Sequence, residues 1–130
     1  MTEKNKILIV DDDLDTLEQI GSILRGAGYC VEAAQGREEA EEALLNEQPD
    51  LAILDLMMEE MDSGFILAHH VKKLYADTPV ILLTAVTSLT GMRFGRGTAD
   101  SRSWVKADVV MDKPVRGDQL INEVRRLLAV

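Results

Sequence analysis

Three carboxylates in a row, Asp11, Asp12 and Asp13, follow the apolar run Ile7-Leu8-Ile9-Val10 with no spacer. Like charges in contact repel by about 1 kcal/mol in bulk water, and by about 4 kcal/mol at the effective dielectric of a protein surface. Acids placed this way either splay into solvent as helix caps or hold a cation between them. Other polar residues stand in matching places after short apolar runs: Asp55 after Leu51–Leu54, Thr84 after Pro79–Leu83, and Lys113 shortly after Asp108–Met111. Carboxylates converging from such positions make a hard oxygen site. Mg²⁺ suits it, because it is octahedral, takes oxygen ligands and retains waters that a phosphate can replace. A carboxylate can also act as a nucleophile and form an aspartyl phosphate. Phosphoryl transfer then needs cations and a hydroxyl donor around the moving oxygens, and Lys113 and Thr84 are placed to supply them.

Side chains so far apart in sequence meet only if the fold brings them together. Residues 6–10, 29–34, 51–54, 79–83 and 108–111 read as five strands. Amphipathic stretches alternate with them. Residues 14–27 set Leu14, Leu17, Ile20 and Leu24 at helical spacing, with Gly28 as the stop. Residues 36–47 form an acidic helix with Ala40, Ala43 and Leu44 inward, and 64–75 a third helix. A last helix carries Leu120, Ile121, Val124, Leu127 and Leu128 as a one-sided stripe. Strands alternating with helices imply parallel pairing and an α/β sheet covered on both faces. The expected fold is a flavodoxin-like, doubly wound, five-stranded parallel sheet of order 2-1-3-4-5. In such sheets the functional crevice lies beyond the carboxyl ends of the strands, where the polar residues fall. Residues 85–107, rich in Gly, Arg, Ser and Thr, have weak periodicity. They are expected to form a long, mobile connection with an irregular or shortened fourth helix.

The chain has 130 residues and a net charge of −9, which argues against a phosphate-backbone partner. Its single cysteine, Cys30, forbids an intramolecular disulfide. Cys30 is expected to be a buried strand residue. No apolar run approaches the roughly 20 residues of a membrane span, and the N-terminus carries no signal-peptide pattern. A cytoplasmic protein is expected, without nucleic-acid or membrane partners, as a monomer or weak dimer.

The ordered set Asp11-Asp12, Asp55, Thr84-Ala85 and Lys113-Pro114 resembles the receiver domain of two-component response regulators, over nearly the whole chain from Lys6 to Val130. The resemblance implies one receiver domain, residues 1–130, that takes a phosphoryl group on Asp55 from a phosphohistidine donor. Asp12 would bind Mg²⁺ directly and Asp11 partly through water. The backbone carbonyl of Met57 would complete the metal site. Lys113 would contact the phosphate, its bond to Pro114 being cis, and Thr84 would turn toward the phosphoryl oxygen. The chain would be no enzyme beyond catalysing its own phosphorylation and dephosphorylation. Its partners would be a histidine kinase or histidine phosphotransferase and a downstream protein that reads the surface around residues 84–130. The sequence reads equally as a fragment of a larger protein, although the polar start and the helix ending at Val130 permit a complete chain.

The chain departs from the family pattern in several places. Glu59 stands where Pro is common, and the loop before Gly64 is one residue longer. Val110 replaces the usual switch aromatic, for which Trp104, Phe94 or Met92 are candidate substitutes. Thr84 and Lys113 lie 29 positions apart, more than is usual. Neither Met57 nor Val86 can orient an attacking water by a strong hydrogen bond, so slow self-hydrolysis is expected. Simpler roles fit other residues. Asp13 reads as a helix cap, Asp112 as a solvated neighbour, and His69 and His70 as helix residues pointing apart. The Arg93, Arg96 and Arg102 side chains read as solubilising loop charges. Two other functions are weighed: a pseudo-receiver that only binds protein, and a haloacid-dehalogenase-like phosphatase. The latter needs D-x-D-x-T/V after the first strand, which D-D-D-L-D and D-L-D-T-L do not supply. No P-loop or dinucleotide fingerprint is present.

Overall fold

The structure, a computed structural model, describes residues 5–55, 63–84, 108–113 and 115–128. In chain order the elements are β1 (Lys6–Val10), α1 (Leu14–Gly26), β2 (Cys30–Ala34), α2 (Arg37–Asn46), β3 (Leu51–Asp55), α3 (Ser63–Leu74), β4 (Val80–Thr84), β5 (Val109–Asp112) and α4 (Gly117–Leu128). All five strands pair in parallel, in the order β2-β1-β3-β4-β5. This is the flavodoxin-like arrangement expected from the sequence. The segment 85–107, and with it the expected irregular fourth helix, lies outside the described residues.

The sheet divides the core in two, because successive side chains of a strand face opposite ways. Leu8, Val10, Ala34, Ala52, Leu54, Val80 and Leu82 pack with Ala40 and Leu44 of α2 and Leu67, Ala68 and Val71 of α3. On the other face Ile7, Ile9, Leu51, Ile53, Ile81, Leu83 and Met111 meet Leu17, Ile20 and Leu24 of α1 and Leu120 and Val124 of α4. Strands β3 and β4 are buried along their whole length, which accounts for their unbroken apolar sequences. Each fully buried Leu or Ile contributes about 1.5–3 kcal/mol of apolar burial.

Local chemistry sets the ends of the helices. Asp13 caps α1, its Oδ1 accepting from the Asp15 N–H at 3.1 Å while Oδ2 accepts from the Thr16 hydroxyl at 3.1 Å. The C-terminus of α1 closes as a Schellman turn. Gly28 N–H donates to Arg25 O at 3.0 Å and Tyr29 N–H to Leu24 O at 3.1 Å. Gly28 takes φ +97°, which a Cβ disfavours. Ahead of α2 the Gln35 N–H donates to Glu39 Oε1 at 2.9 Å.

Two expectations change. Cys30 is exposed rather than buried, because β2 is an edge strand. Cys30 stands opposite Lys6, at the end of the sheet where Lys6 makes ion pairs with Glu32 and Glu47. Leu14 belongs to the helical stripe but is 61% exposed; it is the first residue of α1, before the turn that meets the sheet. No described helix is long and apolar enough to cross a membrane.

Candidate functional site

The carboxyl ends of β1, β3, β4 and β5 bring the polar residues together. Asp11 follows β1, and its N–H donates to Ala34 O of β2 at 3.1 Å, which carries the strand pairing one residue further. Asp55 is the last residue of β3 and lies in register with Leu83. Thr84 ends β4 and is in register with Asp112, while Lys113 N–H donates to Thr84 O at 2.9 Å. Asp11, Asp55 and Thr84 are all buried, and Asp12 is exposed. The pocket therefore has a buried floor and one carboxylate at its rim.

Carboxylate oxygens of Asp11, Asp12 and Asp55 all lie within 4.8 Å of one another. Among the described residues this is the one group of three or more His, Cys, Asp or Glu side chains so placed. Lys113 Nζ sits between two of them, 2.9 Å from Asp11 Oδ2 and 3.1 Å from Asp55 Oδ1. The other oxygen of Asp11 accepts from the Asp13 N–H at 2.9 Å. Asp11 thus serves a local turn and the pocket at once.

One ammonium does not balance three carboxylates. Burial, with the charge of Asp11 next and that of Asp12 adding to it, raises the Asp55 carboxyl to about 6 against the opposing pull of Lys113. Burial and the neighbouring Asp11 raise Asp12 as well. Burial works to lower Lys113, yet its hydrogen bond to Asp11 and the charges of Asp55 and Asp11 hold it above its ordinary value. Partial neutralisation of Asp55 relieves the repulsion that the sequence DDD announces. A hard divalent cation would relieve it differently, by binding the ionised carboxylates. The donor set, all oxygen and clustered, fits Mg²⁺.

The sequence-selected Asp11, Asp12, Asp55 and Lys113 therefore converge, and Thr84 ends the adjoining strand at the same edge of the sheet. Met57, Glu59, Val86, Phe94, Met92, Trp104, the three loop arginines and the Lys113–Pro114 bond fall outside the described residues, at least in part. Val110, at the switch-aromatic position, is 41% exposed on β5. Sequence reasoning missed the direct bridging of Asp11 and Asp55 by Lys113. The one available signal was a lone cation at the end of one strand of a sheet in which two others, β1 and β3, end in acids. His69 and His70 take no part in the acidic cluster.

Comparison with known proteins agrees with this geometry. Residues 7–125 match the family described as "Response regulator receiver domain". Response regulator MprA of Mycobacterium sp. (strain KMS) is 32% identical over 123 residues, covering 95% of this chain and 50% of that protein. The probable transcriptional regulator ycf27 of Guillardia theta is 33% identical over 129 residues, covering 96% of this chain and 46% of that protein. The chain thus spans about half the length of the curated relatives it matches. Among solved structures, a CheY-like receiver domain protein from Methanospirillum hungatei superposes with a TM-score of 0.80 at 28% identity, covering 98% of this chain and 95% of that one. Response regulator TrrA from Thermotoga maritima, solved in complex with Mg(2+)-BeF, gives 0.78 at 32% identity, covering 95% and 99%. With the strand order, the acidic pocket and the match over residues 7–125 in agreement, the chain belongs to the response regulator receiver-domain family.

Proposed function

We propose that this chain is a Mg²⁺-dependent phosphoacceptor in which Asp55 takes a phosphoryl group from a phosphohistidine donor. The observation that carries this reading is the position of Asp55. Its carboxylate is buried at the end of β3, beside Asp11 and Asp12 and 3.1 Å from Lys113 Nζ. An ionised Asp55 oxygen attacks phosphorus. The P–N bond to the donor imidazole breaks, the nitrogen keeps the electron pair, and an acyl phosphate forms. Asp11, Asp12 and Asp55 would hold the cation, with the Met57 carbonyl as a further ligand. Bound magnesium supplies charge neutralisation for the transferring oxygens. The Mg(2+)-BeF complex of TrrA supports this ligand chemistry.

Lys113 is tethered to both Asp11 and Asp55, so it is positioned to follow a new anion on Asp55. Phosphorylation adds about −1.5 to −2 charges and strong acceptor oxygens. Contacts from Lys113 and Thr84 to these oxygens would bias a two-state equilibrium across β4, β5 and α4. A downstream protein would read that surface, and a histidine kinase or histidine phosphotransferase would supply the phosphoryl group in the cytoplasm.

Intact-mass spectrometry after treatment with acetyl phosphate and Mg²⁺ tests the proposal. The expected result is one phosphoryl adduct on wild type, lost in Asp55→Asn and on chelation, and decaying slowly after desalting. An adduct that persists in Asp55→Asn would move the nucleophile to another residue. Absence of any adduct, even with phosphohistidine donors, would leave a protein-binding pseudo-receiver.

A further inference from the structure

The position of Lys113 depends on the register of β5, and the apolar pattern of β5 does little to fix that register. The strand is four residues long, lies at the sheet edge and reads Val109-Val110-Met111-Asp112. Only Met111 is buried. A slip of one residue in one direction would put Val110 where Met111 packs, one apolar side chain for another, whereas the opposite slip would bury Asp112 there and is opposed by its charge. Alternation of polar and apolar residues normally pins register, and here it is weak. Such a slip would carry Lys113 about 3.3 Å along the strand. That is enough to break both its 2.9 Å contact with Asp11 and its 3.1 Å contact with Asp55.

A polar clamp at the far end of the strand supplies what the apolar pattern lacks. The Asp108 N–H donates to Val80 O at 2.8 Å, and the Asp108 carboxylate accepts from the Val80 N–H at 2.8 Å. The same carboxylate oxygen, Oδ2, accepts from Lys72 Nζ at 2.9 Å. Lys72 is itself fixed, donating to Thr78 O at 2.8 Å just ahead of β4. α3, β4 and the start of β5 are therefore joined through one carboxylate, at the end of the sheet opposite the acidic pocket. The slip that seats Val110 in the Met111 place would bring the residue before Asp108, an alanine, against Val80, and its side chain cannot accept these hydrogen bonds.

We propose that Lys72 and Asp108 are positioning residues for Lys113: by holding the register of β5 they set how far the Lys113 ammonium reaches between Asp11 and Asp55. This rests on the reading of Lys113 as the protein cation of the phosphoryl site. Neither residue touches the reacting groups. Their effect passes along five residues of chain to Lys113.

The test follows the rate of adduct formation with acetyl phosphate and Mg²⁺ by intact mass, in variants whose melts remain cooperative. Lys72→Met is expected to slow the reaction about threefold to tenfold, and Lys72→Arg, which keeps the charge, to stay within about twofold of wild type. In a Lys113→Ala background, Lys72→Met should change the rate by less than about 1.5-fold, because residues acting through one another are not additive. Asp108→Asn retains an acceptor for Val80 while removing the carboxylate, and stands in should Lys72→Met fail to fold. Equal slowing in both backgrounds, or no slowing in a folded Lys72→Met, overturns the inference. If Lys113→Ala itself reacts as fast as wild type, or wild type takes no phosphoryl group, the reading of the site fails and this inference fails with it.

Discussion

Replacing Asp55 by Asn should make the metal-free protein more stable at neutral pH, although it removes a contact with Lys113. In the fold the Asp55 carboxyl is raised to about 6, against 3.8 for an ordinary Asp. The gap of about two pH units corresponds to about 3 kcal/mol. Its sign follows from proton linkage. Between pH 3.8 and about 6 the folded state holds a proton that the unfolded state has lost, so stability falls as pH rises through this window. Above it the full penalty of an ionised, buried Asp55 is present. Asn carries no charge at any pH. Urea unfolding in EDTA should therefore find Asp55→Asn more stable than wild type by about 1–3 kcal/mol at pH 7.5, with the gain shrinking toward zero near pH 4. Mg²⁺ should act in the opposite direction on wild type. At ten times its dissociation constant it adds about 1.4 kcal/mol, and it should add much less to a variant that has lost a carboxylate ligand. An Asp55→Asn protein less stable than wild type at pH 7.5, or a difference that does not change with pH, would refute the reasoning.

Other perturbations probe the supports of the site. Asp13→Ala removes the side-chain cap of α1 and should cost about 1 kcal/mol in urea unfolding at pH 7. Gly28→Ala forces a Cβ onto a residue at φ +97° and should cost about 1 kcal/mol, read as a lowered thermal midpoint. Leu54→Ala opens a cavity in the layer beneath α2 and α3 and should cost about 2–5 kcal/mol, measured by the same unfolding assay. Tyr75→Phe deletes the 2.6 Å bond from its hydroxyl to Leu44 O and should cost about 1 kcal/mol.

The central strands were legible because burial on both faces leaves an unbroken apolar run, as in Leu51–Leu54 and Val80–Leu83. The pocket was legible because Asp11, Asp12, Asp55, Thr84 and Lys113 each stand at or just beyond the end of such a run. Parallel strands put all those ends on one side. The edges were less legible. β2 alternates poorly, and its Cys30 faces solvent beside the ion pairs of Lys6, a consequence of strand order rather than of residue type. β5 starts at Val109 instead of Asp108, whose side chain is engaged with Val80 and Lys72. No local pattern announces that engagement, because its partners are 28 and 36 residues away. Lys113 as a bridge between two carboxylates was hidden for the same reason: the charge was visible in sequence, the distance was not.

The two charged arms of the pocket hang from supports of unequal rigidity. Asp55 is mounted on β3, flanked by β1 and β4 and buried throughout. Lys113 is mounted beyond a four-residue strand bonded to a neighbour on one side only. Backbone amides of a central strand exchange with solvent only when the whole molecule opens, whereas those of an edge strand exchange through small local openings. The pocket therefore resembles a vice with one jaw braced on both sides and one braced on a single side. An anion drawn to this pocket would leave Asp55 where it is and act on the β5 side, so slowed amide exchange should appear first at Val110, whose N–H faces β4 as that of Asp108 does, and last, if at all, at Ile53.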